Sequence, residues 1–179
     1  MNQPTIFVPE PESLVALSSS KTGRVEFNSH FVPAAQLIAG PVENVMQQGV
    51  GANTGGLQTS TLAVGLASAA IHFLRGESER RADLTTPTGA LAKEVEQLAI
   101  DIDRMSNGEE VCSTEQLRTR ANSVALRSTQ AALAAAKGTG FVAGHPAGRW
   151  CREALFFLVW SCPQPVMAAN LCELAGIAE

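Results

Sequence analysis

Tyrosine is missing from this 179-residue chain, and aromatic residues make up only 5% of it. Sheet-built cores draw on aromatic and β-branched side chains, whereas the plentiful Ala and Gly here suit helices that approach closely. No run of Lys or Arg occurs, and 13 basic against 17 acidic residues leave a net charge of −4. A mildly acidic chain offers no field that would gather nucleic acid. No block of about 18 uncharged apolar residues is present, and residues 1–20 lack a basic start ahead of an apolar stretch, so neither a membrane span nor a secretory signal is expected. Cys112, Cys151, Cys162 and Cys172 stand at wide, irregular spacing. Without an export signal they read as reduced, mostly buried thiols, and a cytoplasmic location is expected.

What is present suffices for one domain with a real core, or one and a half, but not for a large two-domain enzyme. Residues 1–44 are punctuated by Pro4, Pro9, Pro11, Pro33 and Pro41, a spacing that excludes long helices. Leu14–Leu17 has strand character, and the alternation in Arg24–Asn28 predicts a strand with Val25 and Phe27 on one buried face. Residues 45–179 form the second region, where helical periodicity takes over from about Gly55. Leu62, Leu66, Ala69 and Phe73 mark a first helix from about Gly56 to Arg75 or slightly beyond. Leu91, Val95, Leu98, Ile102 and Met105 mark a second, with Thr86 as N-cap ahead of Pro87 and Asn107-Gly108 as the stop. Ser113 and Gln116 form a capping-box pattern that opens a third helix, running to Gly138. A fourth runs from near Pro146 through Trp160, and a short fifth spans Val166 to Ala175. The stretch Ala154–Trp160 is apolar on every side, so it is expected at the centre of the bundle or against another subunit. The fold class is therefore mainly α, an up-and-down four-helix bundle with a short N-terminal β segment.

Nucleophile elbows, phosphate loops, paired CxxC motifs and HxxxH spacing are all missing, and His30, His72 and His145 are too scattered for a zinc site. Gly49, Gly51, Gly55 and Gly56 lead into the first helix. They read first as a linker, with an anion site at the helix N-terminus as the alternative. Gly138-Thr139-Gly140-Phe141, then His145-Pro146, Arg149 and Arg152-Glu153, form a denser cluster. Helix ends and a first-turn proline account for part of it. Arg149 and Arg152 share one face of a mostly apolar helix and call for anionic or carbonyl partners from the chain, a ligand or another subunit.

That cluster, with the helix order, resembles the C-terminal helical domain of the acyl-CoA dehydrogenase family of flavoproteins. The family pattern is roughly Gln-x-x-Gly-Gly-x-Gly-Tyr, then proline, a basic residue, Arg-Asp, and an aromatic-Glu-Gly-Thr turn. Gly138, Gly140, Phe141, Pro146, Arg149, Arg152 and Glu153 fall on it without gaps, and Trp160 takes the aromatic place. Upstream, Val25-Glu26-Phe27 and Val32–Gly40 are similar to the last strand of the family's middle β-domain and its Val-Pro exit. The resemblance spans about residues 13–175.

The resemblance implies FAD as cofactor, held in part by the backbone amides of Gly138, Thr139 and Gly140, with Arg149 and Arg152 as structural or interface charges. It also exposes departures. The family's catalytic carboxylate would fall on Ser161, and its alternative place, at the start of the first bundle helix, on Gly55-Gly56. The flavin-contacting glutamine falls on Ala134 and the first glycine of the pair on Lys137. Removing a substrate α-proton needs a positioned carboxylate with a raised pKa, which serine does not supply, so no catalytic residue is assigned. With the family's N-terminal helical domain and most of its β-domain unmatched, the chain is expected to be incomplete alone. The implied function is a component of a flavin-dependent oxidoreductase acting on CH-CH groups, with acyl-CoA as a substrate class and a partner chain or second copy completing it. The alternative is a non-catalytic helical module for oligomerisation or scaffolding. A third reading, base-free flavin chemistry of the oxygenase kind, would use His145 or Ser161.

Overall fold

The computed structural model describes residues 5–44, 57–160 and 162–177, and the chain divides into two compact units, Met1–Ala52 and Asn53–Glu179. In the first, β1 (Ile6–Phe7) pairs antiparallel with β2 (Glu26–Phe27), with Ile6 opposite Phe27. Thr5 Oγ1 and His30 Nδ1 meet at 2.7 Å beside this ladder. The strand expected at Leu14–Leu17 does not form. Leu17 has φ +57° and leads into a single 3-10 turn at Ser18–Ser20. Val25 and Phe27 are 48% and 67% exposed, against the expected buried face. A two-residue ladder has too little surface to bury one side.

The second unit is helical. Its elements are α1 (Leu57–Ser78), α2 (Thr85–Ser106), α3 (Thr114–Ala136), α4 (Pro146–Ala154), α5 (Phe156–Val159) and α6 (Gln164–Leu174). Alanines build the seam between α1 and α3. Ala63, Ala67, Ala70, Ala121, Ala125 and Ala132 are all fully buried, and with no side chain beyond Cβ they let the two helices share the most extensive contact in the molecule. Leu74, Leu98, Leu117 and Val124 fill the space around that seam, each contributing about 2 kcal/mol by leaving water. By length and composition α1 would also cross a membrane. Here its stripe Ala63, Val64, Ala67, Ala70, Ile71 and Leu74 lies buried in the bundle.

The central helix is α3, not the expected fourth. The apolar run breaks at Leu155 into α4 and α5, and Leu155, Val159 and Trp160 remain exposed. Conversely, α3 is buried on almost every side although it carries Arg118, Asn122, Ser123, Ser128 and Thr129. Ser128 and Thr129 donate to the carbonyls of Val124 and Ala125 one turn back, which lets polar residues enter the interior at little cost. The expected cap at Thr86 is also corrected. A 3-10 turn, Ala82–Leu84, runs straight into α2, so Thr85 and Thr86 are already helical.

Ser113 caps α3 as its pattern requires. Its Oγ accepts the Gln116 amide at 3.1 Å, and the Gln116 side chain accepts the Ser113 amide at 3.1 Å. Ser113→Ala leaves one of these donors unpaired and is expected to lower the unfolding free energy by about 1 kcal/mol in urea titrations. An unchanged midpoint would show that water replaces the cap.

Candidate functional site

The glycine cluster forms the corner between α3 and α4. Lys137, with φ +54°, ends α3 and opens a 3-10 turn over Lys137–Phe141. Thr139 Oγ1 donates to the Ala136 carbonyl at 2.5 Å, tying the turn to the end of α3. Gly140 is buried, and a Cβ there would lie 2.6 Å from Leu133 Cδ1. Its carbonyl oxygen would in turn lie 2.4 Å from a Cβ on Gly148. Two glycines thus meet where the turn crosses the first turn of α4. Gly138 differs, since a Cβ there would meet nothing within 4 Å. Lys137, Gly138 and Thr139 form an outward edge, with Phe141 and Val142 exposed beyond it.

His145 caps α4. Its Nδ1 accepts the Ala147 amide at 3.2 Å, ahead of Pro146 in the first turn. The ring stands edge-on to Phe73 at 5.9 Å, and Phe73 also meets Trp150 at 6.1 Å. His145 is therefore engaged in local structure. Arg149 finds an intrahelical partner, its Nε lying 3.5 Å from Glu153 Oε1, while no ion pair engages Arg152 among the described residues. The four cysteines are partly exposed rather than buried. Cys151 Sγ donates to the Thr129 carbonyl at 3.2 Å, and burial pushes its thiol pKa up. Ser161, Gly49, Gly51, Gly55 and Gly56 lie outside the described residues. Among those that are described, no group of three or more His, Cys, Asp or Glu gathers as a metal site would.

A second cluster, unanticipated from the sequence, lies behind α5. Arg118 and Asn122 are both 0% exposed. Arg118 Nε donates to Asn122 Oδ1 at 2.8 Å and its Nη2 to the Trp160 carbonyl at 3.4 Å, while Nη1 has no hydrogen-bond partner among the described residues. Asn122 Nδ2 donates to the Phe157 carbonyl at 3.0 Å. The guanidinium carbon lies 6.0 Å from the centre of the Phe157 ring. Burial pulls the Arg118 pKa down, and Cys162 is the ionisable group whose charge reaches it. The signal was available. Arg118, Asn122, Ala125 and Thr129 repeat at four, three and four along one helical line, and a cation on such a line either reaches solvent or is enclosed.

On another face, α2, α3 and α6 enclose a cleft of about 390 Å³ lined by Lys93, Gln97, Arg120, Arg127 and Glu173. Its charges largely satisfy one another. Arg127 grips both oxygens of Glu94, and Arg120 pairs with Asp101 at 2.7 Å. The Arg127 hydrogen bond holds Glu94 below the usual carboxylate range. Burial opposes ionisation of Asp101, but hydrogen bonds from Gln97 and Arg120 outweigh it and hold that carboxyl low as well.

No family model matches the sequence, and no curated protein does. Among solved structures, the chain is similar to one described as "Electron transferring flavoprotein of Acidaminococcus fermentans: Towards a mechanism of flavin-based electron bifurcation". The TM-score is 0.54 at 20% identity, over 66% of this chain and 35% of that one. The chain thus spans about a third of that protein's chain, and at this identity the likeness establishes a shared fold.

Proposed function

We propose that this chain is the helical-bundle part of a flavin-dependent oxidoreductase, similar to the acyl-CoA dehydrogenases, acting on CH-CH groups and completed by another polypeptide or a second copy. The observation that carries this reading is the corner after α3. An outward edge of Lys137, Gly138 and Thr139 is locked in place by the packing of Gly140 against Gly148, on a fold shared with a structure described as a flavoprotein. Open backbone beside an exposed cation suits a pyrophosphate, so the residues present fit FAD. Gly138 and Thr139 would contact it, while Gly140 supports them from within. FAD, when bound, supplies the hydride acceptor. This chain's residues bind and orient it. None is assigned to proton removal, because the family's carboxylate positions hold Ser161 and Gly55-Gly56. A cytoplasmic protein that binds neither nucleic acid nor membrane fits this reading.

The test is retention of flavin absorbance after desalting, with the full chain alone and co-purified with the product of the neighbouring gene. Gly138→Asp puts a carboxylate on the outward edge without a clash. It is expected to weaken FAD binding about tenfold or more, about 1.4 kcal/mol, with an unchanged melting temperature. No retained flavin in either preparation overturns the reading. It would then favour a non-catalytic oligomerisation module, for which the exposed Leu155, Val159 and Trp160 speak. Colourless oligomers by light scattering would support that second reading.

A further inference from the structure

A cavity of about 200 Å³ lies between the start of α2 and the end of α3. Leu74, Leu84 and Leu91 bring large side chains to its wall, whereas α3 brings only Ala131, Ala134 and Ala135. The alanines are too short to fill the space. Arg81 braces it from the side, its Nη1 donating to the Ala135 carbonyl at 2.9 Å. Its Nη2 lies 3.3 Å from Asp83 Oδ2, so this cation is already paired and calls for no further anion. Pro87 and Ala134 are exposed, which leaves the cavity open to solvent on that side. Thr88 also lines it, is 4% exposed, and its hydroxyl has no hydrogen-bond partner among the described residues. Ser128 and Thr129 on α3 both satisfy theirs on a carbonyl one turn back, and Thr88 does not. A buried hydroxyl left unpaired is costly to the fold.

We infer that this cavity is a binding site for one compact, uncharged, largely apolar molecule with a single hydrogen-bonding oxygen, about the size of phenol. An apolar cavity of roughly 150 Å³ holds benzene, so this one has room for a ring and one substituent. Walls of leucine and alanine do not repay the dehydration of a strongly polar group. Thr88 supplies the one polar contact, the usual make-up of a small-molecule site. Threonine in a helix has two open rotamers, so its hydroxyl turns onto a ligand oxygen without any movement of the backbone. A carboxylate would have to displace Asp83 or the Ala135 carbonyl from Arg81, which sets the preference for a neutral ligand. No residue of the Lys137–Phe141 turn lines the cavity, and the inference does not rest on flavin.

The experiment titrates phenol, toluene and benzoate, which share one ring, into the full chain at neutral pH by isothermal titration calorimetry. Phenol is expected to bind saturably with a dissociation constant of about 1 mM, about tenfold tighter than toluene or benzoate. Thr88→Val keeps the shape and removes the hydroxyl. It is expected to weaken phenol about tenfold, to leave toluene unchanged and not to lower the melting temperature. Ala134→Leu places a large side chain in the cavity from an exposed helical position and is expected to abolish binding of phenol and toluene alike. It tests the site independently should Thr88→Val fail to fold. Phenol that binds no tighter than toluene, or equally to wild type and Thr88→Val, overturns the inference. Benzoate as the tightest of the three refutes it in favour of an anion held by Arg81. Binding that survives Ala134→Leu places the ligand elsewhere and refutes the cavity, as does the absence of saturable heat with all three.

Discussion

Gly148→Ala is expected to lower the unfolding free energy by about 3 kcal/mol and the melting temperature by roughly 10 °C. Alanine normally improves a helix by about 1 kcal/mol over glycine, so the sign must come from tertiary structure. The new Cβ would lie 2.4 Å from the Gly140 carbonyl oxygen. That oxygen is backbone, and Gly140 is itself wedged against Leu133 and Ala136, so neither side can yield by a rotamer change. The whole turn must move, and with it the outward edge at Gly138 and Thr139. Gly65, Gly76 and Gly89 provide the control. All three are exposed helical positions where a Cβ meets nothing within 4 Å, and their alanine variants are expected to gain about 0.5–1 kcal/mol each. If Gly148→Ala melts at or above wild type by circular dichroism, the close approach of turn and helix is wrong. The glycine cluster then returns to an ordinary helix end.

These two glycines show what the sequence made legible and what it did not. Periodicity located the helices well, because each stripe of apolar residues at three and four must face a core. Ser113 with Gln116 marked the start of α3, because capping chemistry is local. The glycine cluster was visible, but its division of labour was not. Whether a glycine serves a ligand or a neighbouring carbonyl depends on which chain segment crosses it, and that is tertiary information. The same limit explains the misplacement of the central helix. Ala154–Trp160 is apolar on all sides, yet a break at Leu155 lets Phe157 turn inward while Val159 faces out. Meanwhile α3 hid its burial behind serines and threonines bonded to their own helix. Hydropathy counts a hydroxyl as polar whether or not a carbonyl one turn back already satisfies it.

Asn122→Ala is the second substitution with a large expected cost, about 3 kcal/mol by urea unfolding. Asn122 accepts from Arg118 Nε and donates to the Phe157 carbonyl. Its loss strands a buried guanidinium N–H and a buried acceptor together, in a place that water does not reach. Arg118→Met is expected to behave differently, staying within about 1 kcal/mol of wild type. It removes the charge whose desolvation burdens the fold and keeps an unbranched apolar stem of similar length. The double variant should therefore cost less than Asn122→Ala alone, because no guanidinium remains to be orphaned, with a coupling of about 1–2 kcal/mol. This ordering separates two accounts of Arg118. If it were a structural clamp, holding α5 through the Trp160 carbonyl, Arg118→Met would cost as much as Asn122→Ala and the two would add. If instead the buried, incompletely bonded charge is a burden on the fold, methionine is tolerated well and the cost of losing Asn122 shrinks in its presence. A costly Arg118→Met with no coupling would sink the second account and leave the arginine as part of the core.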